Sequence, residues 1–141
     1  MRSREFLCRS FTRKGLKFLL RLSLSLNKVI HMSYKIFTIG EHLRMNLQNP
    51  PTKEMVCEKF EISDYYLRKE FKKVFGLNFG EYIRQQKIKT GAKLLLSSNL
   101  LVSTISECVG FSNQSKFALA FRKAYGICPH SFRHIRKKNN H

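Results

Sequence analysis

The chain has 141 residues, a length that favours one domain or two very small ones sharing a scaffold helix, and its 43% hydrophobic content suffices for compact cores and excludes a disordered chain. Lys and Arg number 27 against 9 Asp and Glu, a formal charge of +18, so the expected partner is a polyanion: DNA, RNA or an acidic membrane surface. No apolar run reaches the length of a membrane span, and the scattered acids form no paired-carboxylate or Ser/His/Asp arrangement, which argues against an enzyme. The bland alternative for the charge is a basic protein with merely solvated lysines.

In residues 1–31, Arg2, Arg4, Arg9, Arg13, Lys14, Lys17, Arg21 and Lys28 oppose only Glu5, and Phe18–Leu26 is apolar apart from Arg21 and two serines. Three readings compete: a targeting segment, although Arg21 interrupts it; a basic amphipathic helix on a membrane or on DNA; or a stretch outside the mature protein, with Met32 as the start. The change of pattern at Met32 favours the third. From Tyr34 the spacing of Ile36, Ile39, Leu43 and Leu47 predicts a helix stopped by Asn49-Pro50-Pro51. Thr52 caps a helix carrying Met55, Val56 and Phe60; Ser63 caps the next, Asp64 to Phe75, which Gly76 ends. Asn78 opens a longer helix from about Phe79 to Ser97, and Ser103 a short one ending at Gly110. Ser112 or Asn113 caps a helix running to Tyr125, and Pro129 starts the last, through Phe132 and Ile135. With no strand pattern, the expected fold is all-α.

Cys8, Cys57, Cys108 and Cys128 lie far apart, and Cys57 and Cys108 fall in apolar helical patterns, so the cysteines read as small buried hydrophobes in a reducing compartment. His130 and His134 stand at i, i+4, but no third ligand is near, and neither metal nor cofactor is expected.

Shifting the chain by 50 residues superposes Phe71-Lys72-Lys73-Val74-Phe75-Gly76-Leu77 on Phe121-Arg122-Lys123-Ala124-Tyr125-Gly126-Ile127, and Leu67 on Phe117. Each superposed helix follows a short helix and a tight turn, which predicts two helix-turn-helix units. The chain divides into a basic segment at 1–33, a first unit at 34–77, a linker helix at 78–98, a second unit at 99–137 and a tail at 138–141. Leu67, Phe71, Val74 and Phe75 share the expected buried face of the first long helix, and Leu67, Phe71, Phe117 and Phe121 are the expected core anchors.

The opposite face of that helix carries Tyr65, Arg68 and Lys69, suited to base edges, and Lys72, which with Ser63 and Lys73 suits phosphates. The second long helix offers Asn113, Gln114, Ser115, Ala118 and Leu119 to bases; Lys116, Arg122, Lys123 and, from the linker, Arg84 are the further phosphate ligands. Leu119 either packs on a thymine methyl or is an ordinary exposed or helix-packed leucine. A linker of about 19 residues spans roughly 28 Å, approaching the ~34 Å turn of B-DNA, so a monomer can present both units to successive major grooves.

At this point the sequence resembles the AraC/XylS family of bacterial transcription regulators. The resemblance rests on Val56-Cys57-x-x-Phe60-x-Ile62-Ser63-x-x-x-Leu67-x-x-x-Phe71-Lys72-x-x-x-Gly76, on Tyr82-Ile83, Lys87 and Leu94-Leu95, and on Ile105-x-x-x-Val109-Gly110-Phe111-Ser112-x-x-Ser115-x-Phe117-x-x-x-Phe121-Arg122-Lys123-x-x-Gly126-x-x-Pro129. It covers residues 36–136 and implies a seven-helix module of two helix-turn-helix subdomains joined by a linker helix. It further implies a cytoplasmic, nucleoid-associated, sequence-specific transcription regulator, of the activating kind, with double-stranded DNA and RNA polymerase as partners. Such a regulator requires no membrane.

The chain departs from the family pattern at Cys57 and Ser106, which stand for the usual Ala, at Gly91, expected to loosen the linker by ~1 kcal/mol, and at Lys87, which replaces Arg. Leu119 stands where a polar base contact is usual. With no room for an effector domain the chain resembles stand-alone members, whose activity follows abundance; a fragment of a longer regulator is the alternative. The competing function is a nonspecific architectural or RNA-binding basic protein.

Overall fold

Local capping chemistry sets most of the helix boundaries. The computed structural model describes residues 13–139, which form α1 (Arg13–Met45), α2 (Lys53–Lys59), α3 (Asp64–Phe75), α4 (Phe79–Ser97), α5 (Val102–Cys108), α6 (Gln114–Tyr125) and α7 (Pro129–Asn139), with no strand among them. Thr52 and Ser63 hydroxyl oxygens accept the amides of Met55 and Tyr66, each at 3.3 Å, and Asn113 Oδ1 accepts that of Lys116 at 2.8 Å. Asn78 and Glu81 exchange side-chain to backbone bonds at 2.9 and 3.1 Å, a full capping box at the start of α4. Each such cap stabilises its helix by about 1 kcal/mol. Gly76 and Gly126, both left-handed, end α3 and α6.

Three boundaries differ from the sequence expectation. Helix α1 begins at Arg13 and runs through Met32 without a break, because the stretch after Gly15 contains neither proline nor glycine until Gly40. It ends at Met45, before the prolines, where the Asn46 side-chain Nδ2 donates to the His42 carbonyl at 2.8 Å. Helix α5 starts at Val102 behind Leu101, which supplies no side-chain cap, so Ser103 lies in the first turn and its carbonyl accepts the Ser106 hydroxyl at 2.7 Å.

The helices enclose two separate cores. The first joins Ile36, Ile39 and Leu43 of α1, Val56 of α2, Leu67 and Phe71 of α3, and Phe79 and Tyr82 of α4. Ile88, Ala92 and Leu95 of α4 form the second, with Ile105 and Val109 around α5, Phe117 and Phe121 of α6, and Phe132 of α7. One helix thus serves both cores, its first half facing one and its second half the other. All four expected anchors, Leu67, Phe71, Phe117 and Phe121, have zero exposure. Val74 does not join them: it is 37% exposed, a quarter turn off the line of Leu67, Phe71 and Phe75, and Phe75 itself is only half-buried.

The repeat extends into three dimensions. Phe71 meets Phe75 at 4.7 Å and Tyr82 at 5.2 Å, and Phe121 meets Tyr125 at 4.6 Å and Phe132 at 5.2 Å, so α4 covers the first unit as α7 covers the second. In the turns, the Ile62 amide donates to the Cys57 carbonyl and the Phe111 amide to the Ser106 carbonyl, which pairs the two short helices. The second turn then holds one additional residue, Ser112, before its cap. Glu61 and Gly110 occupy equivalent left-handed positions, φ 48° and 78°.

Packing corrects two further expectations. Gly91 is no defect: a Cβ there would stand 2.7 Å from Phe117 Cε2, so the ring fills the space that an alanine methyl needs. Nor are the cysteines uniformly buried. Cys57 is half-buried, and burial together with the nearby Asp64 and Glu54 carboxylates pushes its thiol pKa up. Cys108 and Cys128 are exposed, because the inward line of α5 is Ile105, Ser106 and Val109; Cys8 lies outside the described residues. Ser106 is buried, as close packing of α5 requires.

Candidate nucleic-acid interface

Burying Leu67 and Phe71 turns the other side of α3 to solvent. Tyr65 is 62% exposed, and Arg68, Lys69 and Lys72 are exposed beside it. Arg68 Nη2 lies 2.7 Å from Asp64 Oδ2, and Lys53 Nζ lies 3.6 Å from Oδ1 of the same carboxylate. Both partners are about half-exposed, so the pair is worth at most about 1 kcal/mol. It orients the guanidinium at the start of the helix yet yields readily to a stronger acceptor. Lys69 Nζ stands 5.8 Å from the Tyr65 ring centre, and that ring meets Tyr66 edge-on at 5.5 Å. Lys73 is paired with Glu70 at 3.7 Å, whereas Lys72 has no ion pair among the described residues. Ser63 is first of all the cap of α3.

Anchored by Phe117 and Phe121, α6 presents a face with no acid between Gln114 and Tyr125. Gln114, Ser115, Lys116, Arg122 and Lys123 are exposed, Ala118 is half-buried, and Leu119 is 76% exposed, so Leu119 packs against no neighbouring helix. Asn113 spends its carbonyl oxygen on the cap and keeps its amide protons free to donate. Arg84 of α4 joins Lys116, Leu119, Arg122 and Lys123 around an open groove of about 1040 Å³ between α4 and α6, with Glu81 the one acid in its wall. The structure therefore collects the expected cations of the linker and second unit in one place. The α3 set forms a second cluster around Asp64 and Tyr65.

Two positioning residues escape a reading by sequence spacing. Lys87 Nζ donates to the Gly110 carbonyl at 2.5 Å and lies 5.8 Å from the Phe111 ring, bracing the turn of the second unit from the linker helix; burial pushes its ammonium pKa down. A single carbonyl needs a single donor, which Lys supplies as well as Arg. Behind it, Gly110 abuts the loop that follows α1 in the first unit: a Cβ there would stand 2.6 Å from the Leu47 carbonyl oxygen and 2.5 Å from that of Gln48. Arg133 donates to the carbonyls of Leu95 at 3.2 Å and Leu100 at 2.6 Å, tying α7 to the C-terminal end of α4. These contacts join residues 23 to 38 apart, so no local pattern announces them. The rings of His130 and His134 lie 4.5 Å apart, and among the described residues no group of three or more potential metal ligands occurs.

Short helix, turn and capped second helix, each built twice and held on a shared linker, define a double helix-turn-helix protein. Residues 56–135 match the model of a helix-turn-helix domain family. The C-terminal domain of the two-component response regulator yesN from Fusobacterium nucleatum is 35% identical, with 70% of this chain and 93% of that chain covered at a TM-score of 0.59. The chain belongs to the AraC-type helix-turn-helix family. The bifunctional transcriptional activator/DNA repair enzyme AdaA of Bacillus subtilis is 31% identical over 99 residues, which are 70% of this chain and 47% of AdaA. The chain thus spans about half the length of that relative. The DNA-binding domain of AdpA, solved in complex with a target DNA, shares the fold at 16% identity and a TM-score of 0.69, with 74% of this chain and 94% of that one covered.

Proposed function

We propose that this chain is a sequence-specific, duplex-DNA-binding transcription regulator of the activating type, acting in the cytoplasm on the nucleoid. The observation that carries the reading is the pair of capped helices, α3 and α6, whose inner faces are locked into two cores and whose outer faces display cations, an aromatic and amides. The functional module begins near Met32, where α1 first meets a core. One α4 helix of 19 residues, about 28 Å long, lets a monomer lay α3 and α6 in successive major grooves. Arg68, Tyr65 and Lys69 read bases from the first unit, and Gln114, Ser115, Asn113, Ala118 and Leu119 from the second. Ser63, Lys72, Lys73, Arg84, Lys116, Arg122 and Lys123 bind phosphates. RNA polymerase is the second partner, and no catalytic role or small-molecule effector is part of this reading.

The test is quantitative binding to a site selected from random duplexes. Arg68→Ala should cost about 1–3 kcal/mol on that site and relax preference at one or two base pairs. Lys72→Ala should weaken all duplexes alike and make the salt slope shallower by about one unit. Equal losses for Arg68→Ala on selected and random DNA would instead make the protein a nonspecific phosphate binder.

A further inference from the structure

Helix α1 outruns the core it serves. Met32, Ile36, Ile39 and Leu43 pack into the first unit, but every residue from Leu16 to His31 is exposed. That exposed stretch includes Phe18 at 64%, Leu26 at 59% and Ile30 at 64%, an apolar load far beyond the scattered hydrophobes of an ordinary water-facing helix.

The load is arranged. At 3.6 residues per turn, Phe18, Leu19, Leu22, Leu26, Val29 and Ile30 fall on one arc, widened by Leu16 and Leu20. Lys14, Lys17, Arg21 and Lys28 lie on the other side, with Leu24 at their edge. No Asp or Glu occurs between Arg13 and Gly40. Among the described residues no helix is long and apolar enough to cross a membrane, so the stretch is built to lie on a surface and not to span one.

Charge and apolarity together select the occupant. DNA phosphates would satisfy the cations and leave the apolar arc in water. A second copy of the chain would cover the arc but bring together two molecules of charge +18 each. An anionic bilayer satisfies both faces, taking the apolar arc into the headgroup boundary while the lysines and arginine meet lipid phosphates. We propose that residues 14–31 of α1 dock the protein on an anionic membrane surface. This interaction is independent of the DNA-binding reading.

The full chain should co-sediment with phosphatidylglycerol-containing vesicles and not with pure phosphatidylcholine ones. Substituting Leu22→Ser together with Leu26→Ser leaves the charge unchanged and touches no core residue, and it should weaken vesicle binding by about tenfold or more while leaving the melting curve in place. Undiminished binding of that variant would mean that cations elsewhere on the chain hold the vesicles, and would overturn the proposal. Because the chain contains no tryptophan, Leu19→Trp is a unique reporter, and its emission should shift to the blue on anionic vesicles. An unshifted spectrum, or a lipid-free dimer that Leu22→Ser and Leu26→Ser dissolve, would equally overturn it, the latter in favour of a second copy.

Discussion

Gly110→Ala probes how the first unit is seated against the second, and the protein contains its own controls. Gly76, Gly110 and Gly126 all have positive φ, at 70°, 78° and 76°, so an alanine at any of them meets the left-handed penalty of about 1–2 kcal/mol. At Gly76 and Gly126 the added methyl would find nothing within 4 Å, whereas at Gly110 it would stand 2.5 and 2.6 Å from two backbone carbonyl oxygens. Backbone cannot swing aside as a flexible side chain can, so the loop after α1 or the turn after α5 must move, at a further cost of about 1–3 kcal/mol. The Lys87 bond to the Gly110 carbonyl would be displaced with it. Gly110→Ala should therefore lose about 2–5 kcal/mol in all, against about 1–2 kcal/mol for Gly126→Ala. Urea titrations of the two variants and the parent chain measure the difference. If Gly110→Ala is no less stable than Gly126→Ala, the contact between the units contributes nothing, and the bracing role of Lys87 falls with it.

Three other outcomes are expected. Phe121, with zero exposure and rings of Phe117, Tyr125 and Phe132 within 5.6 Å, should destabilise its unit by about 3–5 kcal/mol when changed to alanine, while the partly exposed Val74→Ala should cost under about 1 kcal/mol; equal melting temperatures for the two would refute the core assignment. Gly91→Ala, which would stabilise an open helix by about 1 kcal/mol, should here lower the melting temperature, since Phe117 occupies the methyl's place; a rise would show that the ring yields freely. A chain of residues 32–141 should melt like the full chain and keep the same preferred DNA sequence with a smaller salt slope, because the residues removed from α1 touch neither core; unfolding, or a changed preference, would place the start of the module upstream of Met32.

What could be read from the sequence was local. Caps announce themselves by side-chain chemistry next to the amides they satisfy, so Thr52, Ser63, Asn78 and Gly76 marked helix ends without any knowledge of packing. The repeat exposed the anchors because burial of one helix face demands a period of 3.6 residues, and Leu67, Phe71, Phe117 and Phe121 obey it twice. Family membership was legible for the same reason, since the motif is mostly a record of those anchors and turns. Tertiary structure alone decided the rest. Whether Gly91 weakens or permits depends on a ring from α6, 26 positions on. Lys87 became a brace because a carbonyl on another unit lies at the reach of its stem, and Arg133 a tie for the same reason. Cys108 has apolar neighbours in sequence and solvent around it in space. Periodicity tells a residue which side of its own helix it occupies. Only the other helices determine what, if anything, stands opposite.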